Sequence, residues 1–379
     1  MTDAEYTDAE YTDAEYTAAD YTVGWISIIA TEVAASKGFF DKQHQQIITE
    51  EKDNNAYVLG SMGTHNVVMA APGEGRMGTT PAASVIGDMV RSFPNLRFIL
   101  LVGIAGGAPT VKDIRLGDVV VGIPKGSEGG VRQYDFGTST QDAEFKQRGH
   151  LNAPHEKILT AVKRLRATHL PDGNNLEDRI AKTIAGFKRK KMFSRPATDV
   201  LYEPSYMHPR ANENSSNSCS GCSNNHIVPR KPRDQDEEDL ITIHYGVIAS
   251  GNRKIEDAIF RDKHAKETGI LCFEMEAAGV VNRYNCLVVR GISDYSDSHI
   301  NKEWQGFAAM AAAAYARALL DDIPSHDIEF GKRQSEVLEA GQCVHSEAKF
   351  LEYYPGKLLP QLGASLNGDK DASVSCINS

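Results

Sequence analysis

The sequence predicts an α/β protein of three layers, with helices covering both faces of a mostly parallel, mixed central sheet. Three observations carry this. FILLVGIAGG (98–107) is a continuous apolar run ending in glycines, as a strand buried on both faces should be. Similar runs, VGWISIIA (23–30) and CLVV (286–289), recur along the chain. Segments with helical spacing of apolar residues separate them, and strands alternating with helices imply parallel pairing through crossovers.

The elements follow in order. Ahead of Val23 stands a repeat, TDAEY three times and then TAADY. It is too acidic and too poor in aliphatic side chains to bury a core, so residues 1–20 are expected to be disordered. After VGWISIIA, TEVAASKGFFDKQH (31–44) has helical spacing, and HNVVMAAP (65–72) reads as a strand. GRMGTTPAASVIGDMVRSF (75–93) is a glycine-rich turn opening a helix, with Pro81 in the first turn, where a missing N–H is harmless. FILLVGIAGG and IRLGDVVVGIP (114–124) are strands, and residues 151–200 are helical and basic. Residues 204–238, rich in Pro, Ser, Asn and charge, read as an inserted surface loop. ITIHYGVIASG, ILCFEMEAAGVV and CLVVRGISDYSDSH restore the core pattern, and NKEWQGFAAMAAAAYARALL is a closing helix that ends near Pro324. The domain is therefore expected over 21–324, followed by a loosely ordered tail at 325–379 with one weak helical segment.

Composition narrows the function. The net charge of −10 owes seven acids to the first twenty residues, leaving about −3 for the rest. No broad basic excess exists to release counterions from a polymer, so a nucleic-acid partner is not expected. No apolar run reaches membrane-spanning length, and no basic segment followed by an apolar one marks a secretory signal; a cytoplasmic location is expected. Cys219-Ser-Gly-Cys222, followed by His226, could supply three zinc ligands. No fourth is apparent in the neighbouring sequence, and the low-complexity surroundings favour a flexible loop, with or without a local disulfide. No metal site is assigned.

The chemistry concentrates at strand ends, where open parallel sheets bind ligands. Glu32 follows WISIIA, glycines follow FILLV, and Arg290 to Asp297 follow CLVV. In CFEMEAAG (272–279), alternation would put Glu274 and Glu276 on one face of a strand. A buried carboxylate is costly unless paired, so two in an otherwise apolar run call for a partner.

VGIAGGAP, IRLGDVVVG, IASGN, FEMEAAG and VVRGISDYSD together resemble the nucleoside phosphorylase/nucleosidase superfamily over about residues 21–324. GWIS…TE, GTTPAA, QYDFG and WQGFAAMAAAAYA are similar to its fungal branch. The resemblance implies a nucleoside phosphorylase-like fold and cleavage of an N-glycosidic bond. Asp294 matches the general acid that protonates the purine leaving group, an ordinary turn-capping Asp being the alternative. Glu276 matches the acceptor of the ribose hydroxyls, whose charge also stabilises the cationic sugar of the transition state. Glu32 matches the base that activates water, and Arg290 the arginine that helps to position it. Met275, Phe273, Gly106, Ser250, Asn252, Ile255, Ser293 and Phe136 fall at implied substrate-binding positions, and Glu274 at one that ties the strand to a neighbour.

The family's phosphorylases bind phosphate with arginines, one of them just before the glycine strand end. Leu101-Val102-Gly103 stands there instead, and Glu32 occupies the other position. The expected reaction is hydrolysis of purine ribonucleosides to base and ribose, with water as nucleophile, no cofactor and a homodimeric assembly. Alternatives are a phosphate-dependent phosphorylase, an AMP or ATP nucleosidase, and a non-catalytic nucleoside-sensing module. Departures from the family pattern are Ile104 where hydrolases carry serine, and Arg253 and Lys254 where an aromatic stacks on the base. Arg76 is a candidate phosphate contact, a plain surface arginine being the alternative.

Overall fold

The computed structural model describes residues 16–141, 143–209, 219–234, 239–300, 302–324, 333–334 and 336. Most of the acidic repeat and of the tail therefore lies outside the described residues. The strands are β1 (Val23–Ile26), β2 (Lys42–Gln43), β3 (Tyr57–Met62), β4 (His65–Ala70), β5 (Phe98–Gly107), β6 (Val119–Gly122), β7 (Val131–Gln133), β8 (Gly137–Thr140), β9 (Ala143–Gln147), β10 (Ile243–Gly246), β11 (Ile248–Ser250), β12 (Cys272–Glu274) and β13 (Cys286–Asp294). The helices are α1 (Ala30–Lys37), α2 (Thr79–Ser92), α3 (Glu156–Asp172), α4 (Leu176–Ala185), α5 (Lys190–Phe193), α6 (Ala258–Thr268) and α7 (Gln305–Asp322).

The main sheet runs β10-β6-β13-β5-β1-β4-β3-β2, with β12 joining β5 and carrying β11 and β7. β13, β5, β1 and β4 are mutually parallel, while β6, β3, β2 and β12 pair antiparallel to a neighbour. This is the mixed, mostly parallel sheet that the apolar runs predict. The central strands β1, β5 and β13 are almost wholly buried, which is why their sequences show no polar alternation.

The sequence reading passed over β3 and the β8–β9 hairpin, and it drew the FEMEAAG strand too long. β12 stops at Glu274, because the Glu274 carboxylate accepts the N–H groups of Glu276 and Ala277 at 3.1–3.2 Å and turns the chain. The end of the repeat is also placed: Tyr16, which closes the third unit, stacks on His44 at 3.7 Å, and the buried hydroxyl of Tyr21, which closes the fourth, meets His44 Nδ1 at 2.9 Å. In the tail, Gln334 is buried and its N–H donates to the Leu96 carbonyl at 2.7 Å, before the amino end of β5. The insertion is anchored where it is described, through Arg233 to the buried Asp118 at 2.6 and 2.8 Å.

α7 is buried almost throughout, lies on β13 and β5, and contacts α1, α3, α4 and α5. Its run of alanines permits close approach. A methyl group on Gly291 of β13 would land on the Ala308 carbonyl. No helix of the described residues is long and apolar enough to cross a membrane. Because backbone cannot move aside as a side chain can, Gly291→Ala is expected to destabilise the fold by about 1–3 kcal/mol or more, read as a lowered urea midpoint.

Candidate active site

Parallel pairing brings the carboxyl ends of β1, β4, β5 and β13 to one edge of the sheet. Arg290, on β13, is 1% exposed there. Its Nη2 donates to Glu274 Oε2 and, at 3.2 Å, to Glu276 Oε2. Glu32 completes the cluster from the first turn of α1. Its Oε2 accepts the N–H groups of Ile28 and Ile29 at 2.7 and 3.0 Å, and its Oε1 accepts that of Ile104 at 2.7 Å.

Glycines make room for this. A Cβ on Gly103 would collide with Arg290 Nη1 and lie 2.5 Å from Glu32 Oε1. The two side chains therefore meet over that bare backbone. Ile104, at the position where the family's hydrolases carry serine, donates its backbone N–H to Glu32.

Glu276 sits on the turn after β12, so it reaches Arg290 by a change of chain direction and not by strand alternation. Its Oε1 accepts the N–H of Gly78 at 3.2 Å. Gly78, at φ 102°, precedes α2 in a conformation that favours glycine. Burial pushes the Glu276 carboxyl up to about 7, opposed by Arg290 and reinforced by Glu274 and Glu32. Three carboxylates around one guanidinium explain that balance.

Asp294 ends β13 four residues beyond Arg290, and a bulge between Ile292 and Asp294 sets it opposite Gly106 of β5, three residues on from the Gly103 that faces Arg290. Its Oδ1 accepts the Ser296 N–H at 2.9 Å, and its Oδ2 accepts from Ser293 Oγ at 3.1 Å. The capping geometry is thus present, and it also fixes the carboxyl. Burial raises the Asp294 pKa, against the lowering effects of the Ser296 N–H, Lys254 and Ser293. Ser296 adopts φ 49°, a left-handed conformation rare outside glycine. A Cβ on Gly106 would strike Ser296 Oγ and lie 2.6 Å from Asp294 Oδ1.

The remaining candidates divide. Met275 is partly exposed between the two glutamates. Phe273 packs edge-on against Tyr134 at 5.5 Å, within a satellite core that includes Ile255. Ser250 Oγ accepts the Ala278 N–H at 2.8 Å, and Asn252 Oδ1 accepts from Thr79 N and Oγ1 at 3.1 and 3.0 Å, so both acceptors serve the scaffold. Asp135 in turn accepts the Asn252 N–H at 2.7 Å. Phe136 is 57% exposed and lines a groove with Arg132, Gln147 and Asn282; the structure does not bring it to the Arg290 cluster. Gly78, Gly103 and Ser296 are the residues that sequence reasoning missed. The positive φ at Gly78 and the clash at Gly103 have no counterpart in periodicity.

The raised Glu276 pKa has a thermodynamic sign. Between its ordinary value of 4.5 and about 7, the folded state holds a proton that the unfolded chain has released. Its contribution to stability is complete below that window and is lost as pH rises through it. The stability of the wild type minus that of Glu276→Gln is expected to fall from pH 4.5 to 7 and then level off, as read from urea midpoints at each pH.

No family model matches the chain. An NLR-like protein of Hyaloscypha variabilis is 42% identical over 301 residues, covering 79% of this chain but only 29% of that protein. The 5′-methylthioadenosine/S-adenosylhomocysteine nucleosidase of Mycobacterium tuberculosis is 25% identical over 309 residues, 80% of this chain and 96% of its own length. A death domain-containing ATP nucleosidase of Amphimedon queenslandica is 23% identical over 288 residues, 73% of this chain and 44% of its own. Among solved structures, futalosine hydrolase of Helicobacter pylori superposes with a TM-score of 0.51 at 16% identity, over 80% of this chain and 99% of its own. With the mixed sheet and the matched stretches, these likenesses make the chain similar to the nucleoside phosphorylase/nucleosidase superfamily.

Proposed function

We propose that this chain is a nucleosidase that hydrolyses the N-glycosidic bond of purine ribonucleosides, releasing free base and ribose. The observation that carries the reading is the cluster of Glu32, Glu274 and Glu276 around Arg290, one strand end away from a carboxyl with a raised pKa at Asp294. A phosphate dianion entering this cluster would meet more negative than positive charge, whereas neutral water would not. Glu32, with three of its lone pairs committed to backbone N–H groups, keeps acceptor capacity for a water proton.

In this reading Glu276 accepts hydrogen bonds from the ribose hydroxyls and faces the positive charge that grows on the sugar. Asp294, whose charged form burial disfavours, is the acid that gives its proton to the departing purine. Glu274 and Glu276 hold the Arg290 guanidinium in place, and Glu32 directs water to the anomeric carbon. A homodimer, the assembly that the family resemblance implies, belongs to the same proposal and is read by light scattering.

A second reading, in which the nucleoside carries 5′-phosphates, is favoured by Arg76. It is exposed on the turn that leads into Gly78, whose N–H holds Glu276. One relative's name, ATP nucleosidase, points the same way. Arg76→Ala is expected to lower kcat/KM for AMP and ATP while leaving adenosine unchanged; equal effects on all three would exclude this role.

Product analysis tests the main reading. Adenosine, inosine and guanosine incubated in phosphate-free buffer are expected to yield free base and ribose, and a requirement for added phosphate with ribose 1-phosphate as product would overturn it. Asp294→Asn is expected to cut kcat/KM by about 10²–10⁴-fold while circular dichroism stays unchanged.

A further inference from the structure

His208 and the single 3₁₀ turn that carries Cys219 and Cys222 are separate parts of the insertion, yet their ligand atoms all lie within 4.8 Å of one another. Both cysteines are free thiols. His226, the histidine next in sequence to the pair, is turned elsewhere: it stacks on Tyr206 at 4.3 Å, and its Nδ1 meets Glu203 Oε2 at 3.0 Å. His208 Nδ1 lies 3.0 Å from the Pro209 carbonyl, while its Nε2 is buried and, among the described residues, makes no hydrogen bond. A ring whose Nδ1–H is held by a carbonyl presents Nε2 as the ligand atom.

A second histidine lies beside them. His299, five residues beyond Asp294, is 9% exposed, and among the described residues neither of its ring nitrogens makes a hydrogen bond. Its ring stacks on Tyr202 at 4.1 Å and stands edge-on to His208 at 5.5 Å between centroids. Two buried imidazole nitrogens left without partners are costly unless something polar or charged joins them.

We propose that Cys219, Cys222, His208 and His299 form a structural zinc site that fastens the 204–238 insertion to the segment following Asp294. The donor set is two sulfurs and two imidazoles, which suits tetrahedral zinc; a Cys-x₂-Cys pair is the spacing of its structural sites. Zinc–ligand bonds of about 2.0–2.3 Å require the ligand atoms to close to about 3.3–3.8 Å from one another. The first three need only a small contraction, and the His299 ring, whose centroid lies 5.5 Å from that of His208, must move toward them. The joint already exists in outline, since the His208 N–H donates to Ser298 Oγ at 2.9 Å. Asp297 Oδ1 lies 3.9 Å from His299 Nδ1, leaving Nε2 for the metal. Both thiols lose their protons on binding, and the two thiolates neutralise Zn²⁺, so the ion adds no net charge to the buried joint.

The test is metal analysis of the full-length protein purified under reducing conditions, followed by replacement of the metal with Co²⁺. The expected result is one zinc per chain, and a cobalt form with the visible bands of tetrahedral coordination and a thiolate charge-transfer band. Cys219→Ser with Cys222→Ser is expected to abolish binding. His299→Ala is expected to weaken it at least tenfold, and His226→Ala to leave it unchanged. Absence of zinc together with no cobalt spectrum in the wild type would overturn the proposal, as would a Cys219–Cys222 disulfide in place of metal. So would a His226→Ala loss as large as that of His299→Ala. The cobalt spectrum of the wild type reports the ligands directly, so the proposal stays testable if a cysteine variant fails to fold.

Discussion

The Arg290 guanidinium, buried among three carboxylates, is the interaction on which the rest of the site depends. It lies on β13, draws in Glu274 at the end of β12 and Glu276 on the following turn, and meets Glu32 of α1 over Gly103 of β5. Each acid is tied to backbone as well: Glu32 to Ile28, Ile29 and Ile104, Glu274 to Ala277, and Glu276 to Gly78. One cation therefore fixes the relative placement of four chain segments. Removing one partner of such a buried group costs about 3–5 kcal/mol, because the charges left behind have no solvent to turn to.

That arrangement separates two jobs that carboxyl groups perform. Around Arg290 the guanidinium charge opposes the burial that pushes the Glu276 carboxyl upward. At Asp294, among the described residues, no guanidinium bonds the carboxyl, its hydrogen bonds come from a backbone N–H and a neutral hydroxyl, and burial raises its pKa. The proposed reaction would assign the first environment the sugar-binding anion and the second the proton donor.

The sheet was legible wherever strands are buried on both faces, since their apolar runs in 23–26, 98–107 and 286–289 have no competing explanation. β3 was harder to see, because Gly60 and Ser61 interrupt its pattern. CFEMEAAG misled in a specific way. Alternation treats Glu274 as a side chain on a strand face, whereas its carboxylate ends the strand by accepting backbone N–H groups. The site residues could be named from motifs, but the contacts that set their behaviour could not. The Ile104 N–H, the bare Gly103 backbone and the left-handed Ser296 are properties of φ, ψ and close approach that spacing does not encode. The cysteine pair shows the same limit: proximity in sequence suggested His226, while the fold brings His208 within 4.8 Å of both thiols.

β13 places Arg290 opposite Gly103 of β5 and Gly291 under the Ala308 carbonyl of α7, in adjacent positions. A slip of one residue along this strand would drive the guanidinium into an alanine-lined helix and leave a glycine to face the acids. Misaligned pairing would therefore be rejected by sterics and by charge at once. The residues that build the Arg290 cluster also proofread the assembly of the sheet that carries it.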